Sequence, residues 1–326
     1  MQKTYRNPVY PDSFADPFVL RHEGMYYAYG TAPGGADGRQ IPVLRSADLV
    51  NWEPLGHALI PAPEMAAASG FHFWAPEVAS HDGRFYMYYS AGNAPEGTDQ
   101  KLRVAVAEHP AGPFIDAGKT LVPGQPFSID AHPFRDEEGQ WWLFYCVDFL
   151  EPSHDHRIGT GIVVDRLLDM TTLADESRTV VRPHHDWHVF RKDRPMYGKV
   201  YDWHTVEGAA VLYREGMYWC FYSGGAWERE NYGVSYVVAK HAEGPYRRPE
   251  GGHEALLMRT PQSGEAVGPG HNSFTASPDG SETWIVYHAW DRERTTRRMC
   301  IDRMEWVDGK PVTSGPTWTA QRAPCS

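Results

Sequence analysis

The sequence predicts an all-β chain folded as a five-bladed β-propeller, and three observations predict it. One hairpin pattern recurs five times along the chain. Trp, Tyr and Phe together supply 43 of 326 residues, as strand-rich proteins favour. Amphipathic helical stretches are scarce throughout.

Each copy of the pattern has a polar residue, a short apolar strand, a Gly turn and an aromatic strand. The first runs from Asp16 through Pro17-Phe18-Val19-Leu20 to Gly24, then Tyr27 and Tyr29. The second leads with Glu77 and turns at Gly83 before Tyr86 and Tyr88. The third leads with Asp130 and turns at Gly139 before Trp142 and Phe144. The fourth leads with Glu207 and turns at Gly216 before Trp219 and Phe221. The fifth leads with His271 and turns at Gly280, with one extra residue before Trp284 and Val286. Alternate aromatic positions mark strands with a buried face, and the Gly supplies the positive φ of a tight turn. Strand-like text follows each of the first four hairpins, at Ile41 to Arg45, Leu102 to Glu108, Gly161 to Val164 and Val234 to Lys240. With no linker or composition shift, residues 1–326 read as one domain.

The spacings between leading residues are 61, 53, 77 and 64. The long one predicts a loop insertion of roughly 20–25 residues between Asp130 and Glu207, where loops on a rigid scaffold carry specificity. It contains His184, His185, Asp186 and His188, with His154, Asp155 and His156 upstream. Without a Cys among them, these read as loop residues rather than a transition-metal site. Trp187, Tyr197 and Trp203 are candidates for a pocket wall or a subunit contact. One member of each pair Tyr26-Tyr27, Tyr88-Tyr89 and Trp141-Trp142 is expected in the core. The pairs Gly34-Gly35 and Gly251-Gly252 read as turns.

A net charge of −11 with no basic run argues against nucleic acid and anionic membrane as partners. Cys146, Cys220, Cys300 and Cys325 are too scattered for a metal motif and read as free thiols. The polar first ten residues hold no signal-type apolar segment, which makes a cytoplasmic location the expectation.

In a propeller, the start of each blade's first strand faces the central mouth. The leading residues Asp16, Glu77, Asp130, Glu207 and His271 would then converge. Four carboxylates around one imidazole are unfavourable unless a cation, a substrate or protonation relieves them. Glycosidic hydrolysis uses such a set, with one carboxyl ionised and another protonated.

At these residues the sequence resembles glycoside hydrolase family 43. The similar stretches are Asn7-Pro8, Ala15-Asp16-Pro17-Phe18, Phe73-Trp74-Ala75-Pro76-Glu77 and Ser128-Ile129-Asp130-Ala131-His132-Pro133-Phe134. Val206-Glu207-Gly208, Gly270-His271-Asn272-Ser273, Tyr287-His288-Ala289-Trp290 and Arg297 through Asp302 follow in order. The resemblance implies an inverting enzyme in which Asp16 is the general base, Glu207 the general acid and Asp130 the carboxylate that tunes the acid. It implies that His271 helps to hold a calcium ion or a water cluster at the channel centre. Trp74, Glu77 and Arg297 are the expected substrate contacts. Glu207 is followed by Gly-Ala-Ala where the family often has Gly-Pro, and no β-sandwich follows the fifth copy as in many β-xylosidases of the family. The expected activity is therefore exo-acting release of arabinofuranose or xylose from arabinose- or xylose-containing oligosaccharides, foremost as an α-L-arabinofuranosidase. The alternatives are a β-xylosidase, an endo-1,5-α-L-arabinanase and a non-catalytic carbohydrate-binding propeller.

Overall fold

A computed structural model of the chain describes residues 3–68, 70–94, 97–249 and 256–326. The Gly251-Gly252 pair lies outside them. The fold is all-β. Helix among the described residues is confined to short pieces such as Pro63–Ala67 and the 3-10 turn Asp186–His188.

All five predicted hairpins form. They pair Ala15–His22 with Met25–Thr31, His72–His81 with Arg84–Gly92, and Ser128–Arg135 with Trp141–Phe149. Lys199–Arg214 pairs with Met217–Gly224, and Val267–Ala276 with Thr283–Trp290. Three of the turns place two residues at positive φ: Glu23-Gly24, Asp82-Gly83 and Glu215-Gly216. That geometry matches the twist of the flanking strands, and glycine enters its second position without steric cost. A third antiparallel strand extends each hairpin: Gln40–Ser46, Lys101–Ala107, Gly159–Asp169, Gly233–Ala239 and Arg297–Val307.

Apolar side chains fill the spaces between successive meanders. Tyr29, Val43, Phe73 and Met87 join the first to the second. Tyr88, Val104, Ala131 and Tyr145 join the second to the third. Phe144, Val164, Val206 and Cys220 join the third to the fourth, and Phe221, Tyr236, Ile285 and Tyr287 the fourth to the fifth. Trp284, Val286 and Ile301 then pack on Phe14, Tyr26 and Leu44, so the fifth meander meets the first. Burying one such aromatic or aliphatic side chain contributes about 1.5–3 kcal/mol.

This packing corrects one expectation. Both members of Tyr26-Tyr27 and of Tyr88-Tyr89 are buried, in different clusters. Each sheet is covered on both faces, so alternation along a strand chooses between two cores rather than between core and solvent.

The N-terminal segment seals the junction of last and first meanders. Thr4–Tyr5 pairs with Gln321–Arg322. The Asn7 side chain donates to the Ile301 carbonyl at 2.8 Å and accepts from its N–H at 2.9 Å, copying a strand partner. Buried Asp302 receives the hydroxyls of Tyr5, Tyr287 and Thr317. Cys146, Cys220 and Cys300 are buried free thiols, and Cys325 is partly exposed and also free.

The predicted loop between Asp130 and Glu207 is largely ordered β-structure. Val189–Met196 forms a hairpin with the start of Lys199–Arg214. The rings of His184, His185 and His188 pack together, their centroids 4.4–5.7 Å apart. His188 is buried, and its Nδ1 accepts the His184 N–H at 3.2 Å, so it ties the loop to its own backbone. Trp203 is fully buried, Tyr197 stands at the hairpin tip and Trp187 packs against His188.

Candidate active site

The inner strand of every meander breaks its pairing register at an equivalent place. The breaks fall between Ala15 and Phe18, Trp74 and Glu77, Ile129 and His132, Glu207 and Ala210, and Gly270 and Ser273. One residue in each break has positive φ: Asp16 (50°), Ala75 (44°), Asp130 (57°), Gly208 (60°) and His271 (49°). Such backbone costs about 1–3 kcal/mol at a non-glycine residue and persists only where neighbours enforce it.

The neighbours do so through one repeated contact. The N–H of each of these residues turns toward a side chain of the preceding meander. Ala75 donates to Thr31 Oγ1 at 2.8 Å, Asp130 to Ser90 Oγ at 3.2 Å and His271 to Ser223 Oγ at 2.7 Å. Gly208 faces the Cys146 thiol, and Asp16 closes the cycle by donating to His288 Nδ1 at 3.1 Å. The breaks therefore aim side chains at the mouth, as β-bulges beside active sites do.

The mouth holds a cavity of about 250 Å³ lined by Asp16, Thr31, Trp74, Ile129, Asp130, Glu207, Trp227, His271 and Arg297. Six of the predicted site residues thus meet in one space. Glu77 does not line it. In the second meander the left-handed position belongs to Ala75, so Glu77 falls two residues farther along the strand and points behind the wall. There its Oε2 meets His132 Nδ1 at 2.7 Å, while His132 Nε2 accepts the Val211 N–H at 3.0 Å. The pair braces three meanders, a structural role in place of the predicted substrate contact.

The carboxylates sit in opposite electrical settings. Burial alone would raise the Asp16 pKa, but the charges of Arg297 and His271 outweigh it and hold the carboxyl well below its ordinary value. Arg297 Nη1 lies 3.2 Å from Asp16 Oδ1, His288 Nδ1 3.2 Å and His271 Nδ1 3.5 Å. Burial lowers His288 to about 4, so it is neutral, and its Nδ1 accepts the Asp16 N–H. Asp130 is pushed up to about 8 by burial and then by the charges of Glu207 and Asp16, against the pull of His271. Burial raises Glu207 too, against His271 and the Tyr232 hydroxyl. Asp130 and Glu207 titrate together, and the pair holds a proton near neutral pH. The negative charges of Asp16, Asp130, Glu207 and Glu77 overcome burial and raise His271.

Three contributors escaped the sequence reading. Trp227 joins Trp74 in the cavity lining, with the Arg297 guanidinium 4.2 Å above its ring and Trp290 stacked on it at 5.9 Å. Tyr232 donates its hydroxyl to Glu207 Oε1 at 2.7 Å and stacks on His288 at 5.8 Å. Trp227 and Tyr232 belong to the loop after the fourth hairpin, outside the repeat. The signal for His288 was its place on the second strand of the fifth hairpin, equivalent to Thr31, Ser90 and Ser223.

Because Tyr232 makes Oε1 an acceptor, a proton on Glu207 belongs on Oε2. Replacing Tyr232 with Phe is expected to lower kcat on oligosaccharides by roughly 10-fold, the value of one hydrogen bond, with a smaller loss on activated aryl glycosides. Steady-state kinetics on both substrates check this; equal losses would make Tyr232 a packing residue only.

Asp130, Glu207 and His271 each present a ligand atom, all within 4.8 Å of one another. A calcium ion bound there would need waters to complete its shell. Calcium takes six to eight oxygen ligands, whereas this set offers one nitrogen and two carboxyls that share a proton. A cation there would expel that proton.

Carboxyls held in opposite protonation states, in a small cavity whose lining includes two indole rings, are the equipment for acid–base cleavage of a glycosidic bond. The chain is a glycoside hydrolase. Residues 5–311 match the profile of Glycosyl hydrolases family 43, and the chain belongs to this family, whose members invert the anomeric centre. A β-D-galactofuranosidase from Aspergillus niger is 30% identical over 322 residues, which cover 91% of this chain and 81% of that protein. An extracellular exo-α-(1→5)-L-arabinofuranosidase from Streptomyces chartreusis is 28% identical over 297 residues, covering 87% and 82%. Among solved structures, a thermostable family-43 glycoside hydrolase is 33% identical with a TM-score of 0.84, covering 99% of this chain and 100% of that one. An endo-1,4-β-xylanase structure from Bacteroides thetaiotaomicron is 25% identical with a TM-score of 0.76, covering 99% of each chain.

Proposed function

We propose that this chain is one five-bladed propeller domain that releases terminal arabinofuranose from short arabinose-containing oligosaccharides. Asp16 is the general base, Glu207 the general acid, and Asp130 the carboxyl that keeps the acid's proton near neutral pH. The observation that carries these roles is the electrical asymmetry of the cavity: Asp16 is surrounded by Arg297, His271 and His288, while Asp130 and Glu207 are both raised. Ionised Asp16 draws a proton from water, which attacks the anomeric carbon. Protonated Glu207 gives its proton to the departing oxygen. Trp74 and Trp227 hold the sugar by its apolar faces, and Arg297 both orients Asp16 and bonds sugar hydroxyls. The exo mode is supported by the hairpin Val189–Met196, which walls the space next to Glu207, and the sugar by the arabinofuranosidase relatives.

Product chromatography tests the reading. Early release of free arabinose from arabino-oligosaccharides is expected, with little attack on intact arabinan or xylan. Mixed-length oligomers from polymer at early times would overturn the exo mode. Aryl α-L-arabinofuranoside should be the best of three aryl substrates. Preference for the β-D-xyloside or the β-D-galactofuranoside would reassign the sugar, the latter toward the relative from Aspergillus niger.

A further inference from the structure

A smaller cavity of about 110 Å³ adjoins the first, and Trp74, Ile129, Glu207 and Trp227 wall both. Its far side comes from the segment inserted between the third and fourth hairpins. Val189–Met196 and the start of Lys199–Arg214 turn at Tyr197 and Gly198, both at positive φ (52° and 73°). Phe190 and Arg194 of this hairpin line the smaller cavity. The Arg194 guanidinium lies 5.0 Å over the Phe190 ring and 5.6 Å over Trp203. The hairpin tip is anchored, because Tyr197 Oη donates to Asp148 Oδ2 at 2.7 Å. Asp148 also lines the cavity, and its Oδ1 accepts the Thr160 hydroxyl at 2.9 Å.

The place of Glu207 decides what this space holds. An acid that protonates a departing oxygen stands between the ring cut at its anomeric carbon and the group that leaves. Asp16, Asp130, His271 and Arg297 line the larger cavity alone, whereas Glu207 lines both. We propose that the smaller cavity is the leaving-group site and that Phe190 and Arg194 select its occupant, a single neutral sugar ring. One face of that ring stacks on Phe190, and its hydroxyls bond Asp148 and Arg194. With Glu207 protonated, the opposite charges of Asp148 and Arg194 leave the cavity no net positive charge to attract an acidic sugar. The assignment rests on Glu207 being the acid.

The test compares two substrates that share the glycosyl group and differ in what leaves. A glycosyl fluoride has a one-atom leaving group that does not reach the smaller cavity; the matching disaccharide fills it. In Phe190→Ala, kcat/KM on the disaccharide is expected to fall roughly 10–100-fold, the scale of one lost aromatic contact, with the fluoride changed less than about twofold. Phe190→Leu keeps apolar bulk and guards against misfolding; it should show the same selectivity at smaller size. Arg194→Ala should likewise spare the fluoride. Equal losses on both substrates, or none on either, would overturn the proposal. The comparison uses whichever arabinosyl, xylosyl or galactofuranosyl pair the wild type hydrolyses. An error in the sugar therefore appears as a change of working pair, and an error in the hairpin as an unchanged ratio of the two rates.

Discussion

Asp16→Asn is expected to reduce kcat by about 10²–10⁴-fold on every substrate, whatever its leaving group. The amide keeps the volume of the carboxyl and its left-handed backbone, a conformation Asn tolerates well. It cannot take a proton from water. The leaving group is irrelevant because the lost step is activation of the nucleophile. Stability should fall as well. Asp16 faces Arg297 at 3.2 Å and His271 at 3.5 Å, in a setting where each is largely buried. His271 can shed its proton once a charge that raises its pKa is gone. Arg297 cannot, and it is left with the face of Trp227 and the more distant charge of Glu207. Breaking a buried pair costs about 3–5 kcal/mol when the remaining charge stays put, so a partial loss and a lower Tm are expected. The variant should still fold, since the five apolar clusters are untouched. Wild-type turnover by the purified variant would remove Asp16 from the role of base. A wild type inert on all glycosides tested would instead favour the carbohydrate-binding alternative.

The hairpins were legible because the sequence writes them locally. Alternating aromatics and a Gly turn determine a two-stranded unit, and five copies imply a shared architecture. The inner residues were legible for a related reason: each stands at the same point of its repeat or, like Glu207 before Gly208, one residue from it. That inference failed at Glu77. Equivalence in sequence placed it beside Asp16 and Asp130, but the register break puts Ala75 at the left-handed position. A bulge shifts which side chain faces the mouth, and its position depends on a hydrogen bond from another meander, here Thr31. No local pattern encodes that. Trp227 and Tyr232 were missed for a different reason. They come from a connecting loop, where no period constrains a residue's direction.

The inserted segment shows the same limit from another side. Its Pro, Arg and His content reads as irregular loop, yet Val189–Met196 is a strand. What orders it is contact rather than propensity: pairing with Lys199–Arg214, the Tyr197–Asp148 bond and the stack of Arg194 on Trp203. Tertiary packing overrides local preference wherever such partners exist.

Glu207→Gln should divide substrates by leaving group more sharply than any other change at the site. Hydrolysis of an oligosaccharide expels an alkoxide-like oxygen that needs a proton, and losing the acid should cost about 10²–10⁴-fold. An aryl glycoside with an acidic phenol leaves with little help, and its rate should fall far less. Geometry favours a clean comparison. Gln keeps an oxygen for the Tyr232 hydroxyl now bonded to Oε1 at 2.7 Å, and so places its amide nitrogen where the acidic oxygen stood. The pH profile should change in step. The wild type requires ionised Asp16, whose pKa is held well below the carboxylate range, so its activity persists into acid. It also requires the proton of the Asp130–Glu207 pair, so activity falls as rising pH removes that proton. In Glu207→Gln the residual aryl activity no longer uses that proton, and the alkaline fall should weaken or vanish. Kinetics on an arabino-disaccharide and an aryl arabinofuranoside across pH provide the measurement. Equal losses on both substrates, with the alkaline fall intact, would move the acid's role to Asp130, the other carboxyl that shares the proton.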